Sequence, residues 1–113
     1  MFTSFSDSRN SHAVDFATNT NNYNITATNA TNTITFSNLS SSVIGKSGSI
    51  IITNPASVGS LGFAALPNTA YTPGGSTISF DTTASTIAVI SYLVIASNKV
   101  LVNYVGAFKQ YGT

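Results

Sequence analysis

The run Ile87–Ala96 (IAVISYLVIA) limits what this chain can become more than any other stretch. It is too short to cross a bilayer, which takes about 20 apolar residues. It is rich in β-branched residues, and no polar face recurs at helical spacing, so it reads as a strand. A strand covered on one side alternates apolar and polar; one covered on both sides does not. This run is apolar on both faces. A tight turn at Asn98-Lys99 follows, and VLVNYVGAF returns with Val100, Val102 and Tyr104 on one face and Leu101 and Val105 on the other. A chain of 113 residues is one small domain, with room for one covered face per sheet. The second cover is therefore expected from another copy of the chain. The residues assigned to that contact are Val89, Ile90, Tyr92, Val94, Leu101, Val105 and Phe108.

The rest of the chain is also built for strands. HAVDFA, YNITA, TITFSNL, SIIITN, SLGFAAL and TISF carry short alternating patterns, separated by Asn, Gly and Pro breaks. With the two long runs this makes about eight strands, the spacing of a sandwich or barrel. The connections are too short for crossover helices, so pairing is expected to be antiparallel. The expected fold is all-β: a single antiparallel β-sandwich or barrel, jelly-roll-like, over residues 13–113. A short arm over residues 1–12 precedes it. No internal repeat stands out. In YTPGGSTISF, Pro73 pre-sets one corner and Gly74 or Gly75 supplies the positive φ of a type II turn. No Lys-Ser or Lys-Thr follows, so this is no phosphate loop.

Composition then excludes several functions. Charged residues make up 6% of the chain, with no Glu and a net charge of +1. Such a surface has no basic field to hold nucleic acid. Ser, Thr and Asn, roughly two residues in five, supply wettability in place of charge. The 42% hydrophobic content argues against disorder. With no Cys and one His, no metal site is expected, and no cofactor. The start, MFTSFSDSRNSHAV, has no apolar core behind a basic flank and does not read as a secretory signal. No membrane association is expected.

Chemistry is thin. Ser11, His12 and Asp15 form the one Ser/His/Asp cluster, but they lie within five consecutive positions and point to different faces of a strand. His12 is expected to be solvated. A glycosidase needs a carboxylate pair, and Asp7, Asp15 and Asp81 lie in a terminus, a strand and a turn. Asp81 in FDTT reads as a turn residue that binds its own backbone. No catalytic residue is assigned. Tyr71 is the aromatic residue expected to be exposed.

Residues 30–110 also resemble a known module. Asn38, Gly45, Ser47-Gly48, Asn54, Tyr71, Pro73-Gly74-Gly75, Ile90-Ser91-Tyr92 and Gly106-Ala107-Phe108 fall on landmarks of a small β-rich module of tailed-bacteriophage virion proteins. The chain departs from that pattern at Ile87-Ala88, where an acidic residue often opens the strand, and at Tyr71, where Trp is usual. The resemblance implies a homotrimer in one of two settings. One is a free-standing decoration, or cement, protein that binds the major capsid protein on the capsid surface. The other is a tail-fibre or spike tip that touches host glycans. The absence of an attachment domain or shaft in the sequence favours decoration. In that setting Phe2, Phe5, Arg9 and His12 would form a capsid-contacting arm. The chain is then expected on the virion after synthesis in the host cytoplasm.

Overall fold

The computed structural model describes residues 11–112 and, for the course of the backbone, residues 2–5. Nine strands lie among them: β1 (Phe2–Phe5), β2 (Ser11–Asp15), β3 (Asn22–Thr26), β4 (Thr31–Ser37), β5 (Ser47–Thr53), β6 (Gly62–Phe63), β7 (Ala70–Tyr71), β8 (Ile87–Ala96) and β9 (Lys99–Phe108). They form two sheets, one of six strands in the order β1-β3-β5-β8-β9-β7 and one of three in the order β2-β4-β6. The chain is all-β with a sandwich-like core. Both sheets are open-edged, so the barrel alternative does not hold.

Antiparallel pairing was expected, and it is confined to β5–β8 and β8–β9. The other five ladders are parallel. The expectation assumed that a parallel return needs a crossover helix. Here the return passes through the opposite sheet: β1, β3 and β5 alternate along the chain with β2, β4 and β6. Each strand of one sheet thus serves as the crossover of the other. The first half of the chain is a stack of coils, which a jelly roll is not, and the hairpin β8–β9 ends the stack on the six-stranded sheet.

The stacking is also a repeat that the sequence conceals. Phe2 pairs with Asn22, and Asn22 with Ser49. Ser11 pairs with Thr33, and Thr31 with Gly62. The offset changes at every coil, so no fixed period registers. Two further differences concern short segments. TISF forms no strand, although Ile78 and Phe80 still pack against the core. The two-residue hairpin turn is Ser97-Asn98 rather than Asn98-Lys99.

Alternation decides what goes inside. Val14 and Phe16, Tyr23 and Ile25, Ile34, and Ile50 and Ile52 are buried between the sheets. From the hairpin, Ala88, Ile90, Tyr92, Val94, Val100 and Val102 join them. Phe16 is central: its ring meets Tyr23, Phe36 and Tyr92 edge-on, at centroid distances of 6.2, 5.3 and 5.4 Å. Such edge-to-face pairs add about 1 kcal/mol each beyond area burial. Both Tyr hydroxyls are spent on backbone carbonyls, Tyr23 on Asp15 and Tyr92 on Asn21, each at 2.7 Å.

Polar side chains close the coil turns. Asn32, fully buried, donates through Nδ2 to the carbonyls of Thr28, Ala30 and Gly62. Asn54 does the same for Asp81 and Thr83. Pro73 and Gly74 (φ +66°) occupy the corners of a turn closed by the Gly75 N–H on the Thr72 carbonyl, the expected type II geometry. Asp81 accepts from the Thr83 N–H at 2.8 Å, as a turn residue should.

Candidate functional site

In strand β8 burial alternates, so the long apolar run has one face inside and one outside. Ile90, Tyr92 and Val94 were assigned to a contact between copies. That assignment is corrected: they are 1%, 4% and 0% exposed within the chain's own core. The outward positions are the others. Ile87, Leu93 and Ile95 on β8, and Leu101, Val105 and Phe108 on β9, are 38–54% exposed, and Val89 is half-buried. The run is apolar on both faces because one lines the core and the other is left open.

The hairpin's register gathers these side chains. Leu93 lies opposite Leu101, Ile87 opposite Phe108, and Ser91 opposite Asn103. Ladder partners on one face stand about 5 Å apart, so the apolar pairs touch. A bulge adds to them. Ile90 pairs with Tyr104 and Val89 with Gly106, which leaves Val105 as the extra residue, turned outward. Gly106 takes φ +145°, a conformation that residues with a Cβ rarely adopt. On the edge strand, Tyr71 pairs with Leu101 and extends the patch. Its ring is 46% exposed, as expected, with Lys99 Nζ 5.8 Å from the ring centre. Toward β5 the outer face is polar at Ser47, opposite Leu93, and at Ser49, opposite Ser91, and apolar at the half-buried Ile51, opposite Val89.

The residues assigned to an arm meet a different fate. Phe2 and Phe5 belong to β1, which pairs in parallel with β3 at the sheet edge. Arg9 lies outside the described residues. His12 was expected to be solvated and available to a partner; it is 2% exposed in β2. Its Nε2 is 2.9 Å from Asn32 Oδ1. That oxygen also accepts from the Thr28 N–H, so the amide orientation is set and His12 is the donor. Ser11 is exposed on the opposite face of β2, and Asp15 Oδ1 is held by Asn38 Nδ2 and the Ala17 N–H, at 2.7 and 2.9 Å. Those two bonds, the Asn38 one foremost, hold the Asp15 carboxyl below the usual carboxylate range. Ser11, His12 and Asp15 are therefore not brought together.

A second concavity went unnoticed in the sequence. A groove of about 740 Å³ lies between the turn after β2 and the β4–β5 loop, lined by Thr18, Asn21, Asn38, Ser42, Val43 and Lys46 among others. Lys46 Nζ donates to the carbonyls of Phe16 and Thr18, both at 2.9 Å, and lies 5.6 Å from the Tyr23 ring centre. Sequence alone presents Lys46 as one loop cation; only the fold shows that it ties β5 to the turn after β2.

Among the described residues, no group of three His, Cys, Asp or Glu gathers to hold a metal ion. No helix among the described residues is long and apolar enough to cross a membrane. No family model, curated protein or solved structure matches the chain.

Proposed function

We propose that this chain is a structural protein of a tailed-bacteriophage virion: a homotrimeric decoration protein that binds and stabilises the major capsid protein shell. One observation carries the reading. The hairpin β8–β9 leaves a large apolar face open, on a chain with only seven charged side chains. An open face of that kind marks an interaction surface. A low net charge favours association over repulsion. The sequence resemblance over residues 30–110 supplies the setting. Antibody labelling of virions tests it: label on the head is expected, and virions without label would overturn it.

The exposed Tyr71 ring supports a second reading, a tail-fibre or spike tip module that binds host-surface glycans. An aromatic face is a natural platform for a sugar ring. Label at the tail, host-cell adsorption by the purified protein and loss of adsorption in Tyr71→Ala would favour it over the first.

A further inference from the structure

The outer face of β8–β9 has a composition and a size that bear on what covers it. We propose that the occupants are sister copies of this chain, the outer hairpin faces of the trimer's subunits packing on one another, with Leu93 and Leu101 in the contact and Asn103 setting its register. The proposal rests on the assembly reading above and deepens it by naming the partner and the residues that meet it.

Area is the first argument. Seven large side chains, Tyr71 included, are 38–54% exposed on one continuous face. Together they present roughly 600 Å² of mostly apolar surface, the top of the range for patches on monomeric proteins. One side of a standard stable interface is about 800 Å², and the contact between identical subunits is about 65% apolar. With its polar border of Ser47, Ser49 and Ser91 the patch supplies most of one side of such an interface.

Charge is the second. The outward positions of β8 are Ile87, Val89, Ser91, Leu93 and Ile95, and those of β9 are Lys99, Leu101, Asn103, Val105 and Phe108. Of these only Lys99 ionises, at the hairpin tip beside Tyr71. A foreign partner recognised by charge would find a single cation at the margin to pair with. A sister copy brings more of the same almost uncharged surface.

The third argument is Asn103. Its side-chain amide makes no hydrogen bond among the described residues, and it is exposed within the apolar face opposite Ser91. Buried against a foreign apolar surface, that amide would be left unpaired, a cost of about 1–3 kcal/mol. Against a copy it meets another Asn103 amide or a Ser91 hydroxyl, both able to donate and accept. A single polar residue in an apolar contact fixes register in this way in coiled coils.

The test compares the unmodified protein with the double variant Leu93→Gln/Leu101→Gln by sedimentation equilibrium. Both positions are about two-fifths exposed, so the fold should survive; circular dichroism checks that. Val105→Gln, at a 54% exposed position, serves as a second, milder variant. The expected result is a multiple of the 11.7 kDa chain mass for the unmodified protein. Association should be at least about 100-fold weaker in the double variant. Asn103→Leu should keep assembly but broaden the distribution of masses. A single-chain mass for the unmodified protein would overturn the proposal, and so would a double variant that is folded and equally associated. Virion labelling is independent of this result. A chain that self-associates through this face yet is absent from virions keeps the contact and loses the assembly reading. Label on the head with a single-chain mass in solution keeps the virion location and loses both the contact and the trimer.

Discussion

The Tyr92 hydroxyl donates to the carbonyl oxygen of Asn21 at 2.7 Å, across 71 positions of sequence. The same oxygen lies over Gly48, the ladder partner of Tyr92. A Cβ at Gly48 would run into that oxygen and its carbonyl carbon, which are backbone atoms that cannot swing aside. The close approach joins the turn before β3 to the β5–β8 ladder. Replacing Gly48 by Ala should therefore separate these elements, at about 3 kcal/mol or more. Urea denaturation would measure it, and a change under about 1 kcal/mol would refute the close-approach account.

Tyr92 also gives the protein an alkaline limit. Burial, and then the neighbouring Tyr23, push its phenol well above the ordinary Tyr value. A raised pKa in the folded state means that the unfolded chain releases the proton first. The stability tied to Tyr92 is then fully present below about pH 10 and falls as pH rises beyond it. Denaturation midpoints followed from pH 8 to 11 should be level and then drop. Tyr92→Phe should start lower, for want of the Asn21 bond, and fall less steeply.

Asn32 closes a coil turn with more bonds than any apolar residue could replace. Besides its three carbonyl acceptors, its Oδ1 accepts from the Thr28 N–H, the Thr28 hydroxyl and His12. Asn32→Ala strands several of those groups in a dry interior, at about 1–3 kcal/mol for each one left unpaired. The loss should be about 3–5 kcal/mol by chemical denaturation. His12 Nδ1 already has no partner among the described residues, so His12→Phe should cost less than Asn32→Ala.

Asp15 should titrate low, and Asn38 is the main reason. Asn38 adopts φ +58°, the left-handed region that Asn tolerates better than most residues. Asn38→Gly keeps that backbone but removes the amide. The Asp15 carboxyl should then titrate closer to the ordinary value near pH 4, read by carbon-detected NMR. The stability linked to Asp15 in the unmodified protein is present above that range and lost as pH falls through it and below. This acid dependence should flatten in the variant.

The sequence was legible wherever alternation was strict. Tyr23 and Ile25, Ile50 and Ile52, and Val100 and Val102 point inward as their spacing requires. The turns at Pro73-Gly74-Gly75 and Asp81 followed from their own chemistry. Pairing direction was not legible, because alternation says which face is buried but not which strand lies alongside. Coil offsets that differ between Phe2–Asn22 and Asn22–Ser49 hid the stack. His12 was misplaced because its buried partner, Asn32, is distant in sequence and declares itself only when β2 and β4 pair. The candidate face was half visible: the apolar excess of Ile87–Ala96 was evident, but its phase was not, so core residues such as Ile90 and Val94 were counted with exposed ones.

The central claim is that the outer hairpin face is covered in solution by a sister copy. Relaxation of methyl NMR signals by a soluble paramagnetic probe tests it most directly. Ile44, 51% exposed and lining the groove beside the β4–β5 loop, provides the reference for an open methyl group. The account predicts that Leu93, Leu101 and Val105 methyls are shielded from the probe at micromolar concentration, and that Leu93 becomes accessible in Val105→Gln. Methyls of Leu93 and Leu101 relaxed as strongly as that of Ile44 in the unmodified protein would contradict it.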